Sequence, residues 1–288
     1  MHTIVVGVDG SSHADIALRW ALRQASSTAA AVHLVYAYGR QVGGRPTADG
    51  QAAADAVLAA IVDRHHDALD AIEWRAHAQS AGRGSPAHVL MDEAEQADLI
   101  VVGSRGLGGF GELILGSTSY RLVSRSRTPI AVIRDDPDAR APEAGFPAGL
   151  VVGVDGSDTG DRALRWAAAE ARRRGVALDV VHAQPLSPYP LYAMGAVPGV
   201  DRERRLVREE GERIITRTVE RAGDVLDGVE LRRHARIGPP ADQLTVVAGT
   251  DHVLVVGTRG HSYVGGVMLG SVSHQVLHHA HGPVVVVP

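Results

Sequence analysis

Apolar and polar positions along this chain alternate between two periods. "TIVVGV" at residues 3–8 is apolar almost throughout and rich in β-branched side chains, as a strand buried on both faces is. The period then changes: Ala14, Ala17, Leu18, Ala21 and Ala25 fall three or four residues apart and make one apolar stripe. That spacing predicts a helix with Ser11 or Ser12 as its cap. The switch recurs, with "AVHLVYAY" (31–38), "IEWRAHAQ" (72–79), "DLIVVG" (98–103) and "PIAVIR" (129–134) as strands. "AAADAVLAAIVDRHHDAL" (52–69), "SPAHVLMDEAEQ" (85–96) and "STSYRLVSRS" (117–126) read as helices. Apolar strands separated by helices predict a doubly wound, Rossmann-like α/β domain with a five-stranded parallel sheet in the order 3-2-1-4-5.

The same pattern is written twice. "TIVVGVDGSSHADIALRWAL" at 3–22 aligns with "GLVVGVDGSDTGDRALRWAA" at 149–168, an offset of 146, whereas "GSPAHVL" (84–90) and "GPPADQL" (238–244) are 154 apart. The second copy therefore carries extra residues between Trp166 and Gly238, and the Pro-rich "QPLSPYPLYAMGAVPG" (184–199) is their natural home. Two tandem domains are expected at 1–134 and 149–288, joined by a Pro- and Ala-rich linker at 135–148. Trp20 and Trp166 occupy matching places beside the apolar stripe and are read as core.

Composition narrows the chemistry. A net charge of −4 over 288 residues gives no reason to expect nucleic acid or an anionic membrane as partner. The chain has no cysteine, so disulfides, thiolate catalysis and Cys-ligated zinc are excluded. It also has no lysine, which excludes a Schiff base and a phosphate loop of the GxxxxGK[ST] type. No signal-peptide pattern opens the sequence and no apolar run reaches membrane-spanning length, so a cytoplasmic protein is expected.

Two segments of each copy carry candidate chemistry, because ligands of open parallel sheets bind beyond the carboxyl ends of the strands. One is "GVDGS", with Gly7, Val8 and Asp9 in the first copy and Gly153, Val154 and Asp155 in the second. The other is a glycine-rich loop after strand four, "GSRGLGGFGELILGST" from Gly103 and "GTRGHSYVGGVMLGSV" from Gly257. Glycines let main-chain N–H groups close on an anion, and the helix that follows adds unpaired N–H donors at its positive end. Ser117, Thr118, Ser119, Ser271 and Ser273 offer hydroxyls, and Arg105 and Arg259 offer charge. Asp9 and Asp155 repel phosphate and suit donors on a sugar or base, or a metal carried by the phosphates.

The spacing Gly103-Ser104-Arg105-Gly106, nine residues, Gly116-Ser117 recurs as Gly257-Thr258-Arg259-Gly260, nine residues, Gly270-Ser271. This G-x2-G-x9-G-[ST] pattern, with "VVGVDGS" opening each copy and "ADLIVVGSRG" before the first loop, resembles the nucleotide-binding signature of the universal stress protein family. The resemblance covers both copies and is closest to tandem two-domain members. It implies an adenine nucleotide alpha hydrolase-like fold and ATP in each domain, two per chain, with Mg2+ accompanying the phosphates. It further implies that Asp9 and Asp155 contact the nucleoside, and that the backbone of Ala37 and Ala183 meets adenine. Gly103, Gly106, Gly116, Ser117 and Thr118 are then ribose and phosphate contacts, as are Gly257, Gly260, Gly270, Ser271 and Val272.

The expected function is a nucleotide-dependent stress-response regulator with little or no catalysis, since no general base accompanies the loop and no lysine steadies a transferring phosphoryl group. The alternative is a slow ATPase or an autophosphorylating phosphotransferase, with Thr118 or Ser119 as acceptor. A dehydrogenase is excluded by placement, because the GxGxxG fingerprint belongs after strand one. A scaffold indifferent to nucleotide would keep its protein partner, here unknown, in loop variants. His274, His278, His279 and His281 align with a segment holding Arg125 and Arg127, so they are read as basic groups at a helix end and no metal site is expected. His65 and His66 are read as a solvated helix face. The last strands, "PIAVIR" and "PVVVVP", are read as open edges that pair with one another, as in the family, giving an internal pseudo-dimer on which a homodimer forms.

Overall fold

The computed structural model describes residues 2–39, 48–82, 84–106, 115–134, 148–186, 200–259 and 269–288. By its contacts the chain divides into two units, Met1–Phe146 with Pro283–Val286 and Pro288, and Pro147–Gly282 with Val287. The linker expected at 135–148 and the Pro-rich stretch at 184–199 lie largely outside the described residues.

Unit 1 runs β1 (Thr3–Val8), α1 (Ser12–Thr28), β2 (Ala31–Tyr38), α2 (Ala48–Arg64), α3 (His66–Leu69), β3 (Trp74–Ser80), α4 (Pro86–Glu93), β4 (Leu99–Gly103), α5 (Ser117–Arg125) and β5 (Ile130–Ile133). Its strands lie in the order β3-β2-β1-β4-β5, all parallel, as the alternating periods predict. The pairing expected of the two last strands is formed. β10 (Val284–Val287) pairs with β5 antiparallel, Val284 opposite Val132 and Val286 opposite Ile130, so this sheet is mixed rather than purely parallel. Both strands are apolar and four residues long, and all eight residues are buried. An edge of that kind needs covering.

Unit 2 repeats the plan with β6 (Gly149–Gly153), α6 (Asp158–Arg174), β7 (Ala177–Gln184), α7 (Val200–Ala222), a 3-10 turn at Gly223–Leu226, β8 (Leu231–Ile237), α8 (Pro240–Ala248), β9 (His252–Gly257) and α9 (Ser271–His279). The order β9-β6-β7-β8 is parallel and corresponds to β4-β1-β2-β3. The offset between copies changes twice. Trp74 and Leu231, which open β3 and β8, are 157 apart, whereas Gly84 and Gly238 are 154 apart. The extra length precedes β8, and part of it is returned by a shorter turn after that strand.

The apolar stripe of α1 is buried as its spacing requires, with Trp20 among it, and α1 packs on β1 and β4. Ser11 is the cap, accepting from the Ala14 N–H at 3.2 Å. The helix expected over 52–69 is broken at His65, which is not solvated: its Nε2 meets Asp15 Oδ1 of α1 at 2.7 Å. Burial opposes the Asp15 charge, but the hydrogen bond from His65 and the charge of Arg19 outweigh it and hold the carboxyl below its ordinary range. His66, the next residue, is exposed as expected.

A buried ionic contact lies near the end of α6. Glu170, 1% exposed, takes Arg173 Nη2 at 2.6 Å and Arg174 Nε at 2.8 Å, and the Arg174 side chain is itself 2% exposed. Burial pushes the carboxyl up, yet the two guanidinium groups prevail and its pKa is lowered. A depressed folded pKa means stability that is present above the unfolded value of 4.5 and lost as the pH falls through the folded one. Replacing Glu170 by Gln removes the carboxylate that faces the buried Arg174 guanidinium and should destabilise unit 2 by about 3–5 kcal/mol at neutral pH. The penalty should shrink as the pH is taken well below 4.5, which urea denaturation of both proteins across that range will show.

Candidate functional site

The carboxyl ends of β1 and β4 lie side by side, since Val6 is paired with Val101. Beyond β1 the chain turns at Gly10, whose φ of +83° suits glycine. The turn brings the Ser11 N–H back onto Asp9 Oδ1 at 2.9 Å, so the carboxylate is fixed before any ligand arrives. Val8 is opposite Tyr36, which places Ala37 alongside Asp9 at the end of β2. Burial and the Asp9 charge both push the Tyr36 phenol up, so it stays protonated at neutral pH.

Two glycines, one ending β4 and one three residues beyond it, answer to close contact. A Cβ on Gly103 would lie 2.7 Å from the His13 carbonyl carbon and oxygen, at the first turn of α1. A Cβ on Gly106 would collide with Asp9 Oδ2. Gly106 therefore rests directly on the Asp9 carboxylate, uniting the two segments the sequence singled out. The base of the loop is closed by a bond from the Gly116 N–H to the Ser104 carbonyl at 2.7 Å, while the Ser104 N–H reaches the Ile133 carbonyl at 2.8 Å. α5 then begins at Ser117 with Gly116 as its cap and no side chain closing its first turn, unlike α1. Ser117 is exposed and Thr118 half-buried at this open end. Arg105 Nε is buried and finds no acceptor among the described residues.

Unit 2 builds the same arrangement from different side chains. The Gly270 N–H meets the Thr258 carbonyl at 2.7 Å, the Thr258 N–H meets Val287, and α9 starts at Ser271 with an uncapped first turn. Val272, at the position of Thr118, follows half-buried in that turn. Asp155 Oδ1 accepts the Ser157 N–H at 3.0 Å and the Ser157 hydroxyl at 2.5 Å. The Thr159 hydroxyl donates to the Arg259 carbonyl, tying the start of α6 to the loop as His13 and Gly103 do by contact in unit 1. A Cβ on Gly257 would lie 3.0 Å from Thr159. Ala183 sits at the end of β7 beside Arg236, half-buried. Gly260 and the loop crests at 107–114 and 261–268 lie outside the described residues.

Some expected contributors have other duties. Ser119 and Ser273, read as hydroxyls for an anion, are buried and donate to the Gly103 and Gly257 carbonyls at 2.8 and 2.6 Å, so they fasten helix to strand. Gly7 and Gly153 make room for Leu90 of α4 and Leu244 of α8, whose Cδ1 atoms would each lie 2.9 Å from an added Cβ. Val8 and Val154 are core. Sequence reasoning missed Ser11, Ser157 and Thr159 as the groups that hold the aspartates and the loop; the Ser two residues after each Asp was the available signal.

Fold and site together define a protein of α/β units in which a glycine-rich loop closes at a strand end beside a carboxylate. The chain belongs to the universal stress protein family. The model of that family matches residues 1–134 and again 150–288. A universal stress protein of Mycolicibacterium smegmatis is 30% identical over 299 residues, covering 99% of this chain and 96% of the relative. One of Mycobacterium tuberculosis is 31% identical over 304 residues, covering 98% and 94%. The crystal structure of a universal stress protein from Archaeoglobus fulgidus shares the fold, with a TM-score of 0.67 at 18% identity over 99% of this chain and 95% of that one.

The contacts sort the glycines by cost. Gly103→Ala forces a Cβ onto main-chain atoms and should lower stability by about 1–3 kcal/mol. Gly116→Ala meets nothing closer than 3.4 Å and should cost less than about 1 kcal/mol. Thermal denaturation of the two variants will rank them.

Proposed function

We propose that each unit binds an adenine nucleotide, ATP in first place, and that the protein acts as a nucleotide-dependent stress-response regulator with little or no catalysis. The observation that carries this reading is Gly106 resting on Asp9. A loop of main-chain amides and a carboxylate are held at one point, where a nucleotide has an anionic tail at one end and hydroxyl and amino donors at the other. The open first turns of α5 and α9 present N–H groups and their positive helix ends to the phosphates. Ser117 and Thr118, or Ser271, add hydroxyl or main-chain donors, and Arg105 and Arg259 add charge. Asp9 and Asp155 would accept from the nucleoside, with the backbone of Ala37 and Ala183 beside them for the base. Any Mg2+ would travel with the phosphates, the neighbouring carboxylate being its available protein ligand.

In this reading the carboxylate beside the loop, Asp9, is engaged by the nucleoside rather than by an attacking water, and the lysine-free sequence leaves charge stabilisation to arginine. With Ser119 buried and engaged, an autophosphorylating version is left with Thr118 as acceptor. A homodimer would have to use a surface other than the β5 edge, which β10 covers. Binding at 100 times the dissociation constant stabilises a folded unit by about 2.7 kcal/mol, enough to hold a loop in one conformation.

Denaturing the freshly purified protein and identifying any released nucleotide by mass should yield an adenylate. Replacing both Asp9 and Asp155 by Ala should abolish its retention while leaving the circular dichroism unchanged. A double variant that still carries the nucleotide at the level of the native protein would refute the site.

A further inference from the structure

We propose that His33, His77 and Glu93 of unit 1 form a binding site for a divalent transition metal ion, Zn2+ being the one that two imidazoles and a carboxylate suit best. Their ligating atoms, one from each residue, lie within 4.8 Å of one another. His33 Nε2 is 2.9 Å from His77 Nδ1, His77 Nε2 is 3.1 Å from Glu93 Oε1, and His33 Nδ1 is 3.7 Å from Glu93 Oε2. Ligands about 2.0–2.1 Å from a tetrahedral zinc stand about 3.3 Å apart; the short approaches here engage both nitrogens of each ring, so one nitrogen of each must turn to a common point, a small adjustment within a spread of 4.8 Å. Each comes from a different element, β2, β3 and the last turn of α4, and so from a fixed backbone position. The cluster is separate from the proposed nucleotide site: His33 lies near the start of β2, whereas Asp9 and Ala37 lie at the carboxyl ends of their strands.

Two further observations bear on a cation here. A guanidinium already approaches the site, Arg75 Nη2 standing 3.1 Å from His33 Nδ1, and Arg75 is exposed enough to swing into solvent. Without a metal, Arg75 donates to His33, His33 Nε2 to His77, and His77 Nε2 to Glu93, a closed relay running from a cation to a carboxylate. Metal entry must open the bond between the rings and release Arg75. The second observation is the other copy. Asp179 and His234 of unit 2 occupy the places of His33 and His77, and they satisfy each other at 2.5 Å. The place of Glu93 is taken there by Val247. A buried polar pair across these two strands is thus complete with two members, and unit 1 adds a third donor that such a pair does not need. Among the described residues no other three His, Cys, Asp or Glu side chains converge in this way.

Cobalt(II) tests the proposal, because a protein-held tetrahedral or five-coordinate ion gives visible ligand-field bands. Titrating chelator-treated protein at neutral pH should develop these bands to one equivalent and lose them when Zn2+ is added. Affinity should fall about 10- to 100-fold or more in His77→Ala and in the near-isosteric Glu93→Gln. It should be unchanged in His234→Ala and rise by about tenfold or more in Arg75→Ala, where the competing charge is gone. Circular dichroism establishes that Glu93→Gln is folded. Native protein and Glu93→Gln titrating alike, or native protein giving no bands at one equivalent, would overturn the site and leave the relay as a hydrogen-bonded brace only.

Discussion

At the carboxyl end of β4 there is no room for a Cβ, and the rest of the site follows from that exclusion. Gly103 lies against the main chain of α1 and Gly106 against the Asp9 carboxylate. Because both lack a side chain, the loop can begin where β1 ends, and the first turn of α5 can open beside the same point. Contact of this kind is a geometric constraint rather than an attractive force. It costs nothing in the native chain and becomes visible only when a methyl group is added.

The two copies act as controls for one another. Both close the loop base with a glycine N–H on the carbonyl of a buried Ser or Thr at 2.7 Å, and both fasten the following helix with a buried serine on the strand carbonyl. What differs is the bracing of the aspartate. Asp155 takes both the N–H and the hydroxyl of Ser157, and Thr159 reaches across to the loop. In unit 1 the Ser11 hydroxyl caps α1, as that of Ser157 caps α6, and His13 fills the place of Thr159. Tyr36 stands where unit 2 has His182, whose Nδ1 is 2.8 Å from the Val154 carbonyl. The shared bonds are those the loop geometry demands; the others are free to drift.

Much of this was legible in the chain. Strand and helix periods placed every strand of unit 1 and its helices apart from the break at His65, because nearly continuous apolar runs and three-to-four spacing are local properties of the sequence. The duplication was legible for the same reason, and the cap of α1 was narrowed to Ser11 or Ser12 by their place before its stripe. What was hidden depends on distant residues meeting. His65 looks like a solvated position beside His66 until Asp15, fifty residues earlier, is brought under it. Ser119 looks like a phosphate donor until the Gly103 carbonyl appears above it. His33, His77 and Glu93 are dispersed over two strands and a helix, with no spacing to betray them. The antiparallel β10 beside β5 was foreseeable as a need for cover, but its direction was not.

The central claim is that the contact between Gly106 and Asp9 marks a nucleotide site, one of two in the chain. Calorimetric titration with ATP and Mg2+ of the native protein and of Gly106→Ala puts it to the test most directly. The account predicts two sites per native chain and one in the variant, because the added methyl displaces the carboxylate of unit 1 and leaves unit 2 untouched. Equal stoichiometry and affinity in both proteins, or no binding in either, would contradict it.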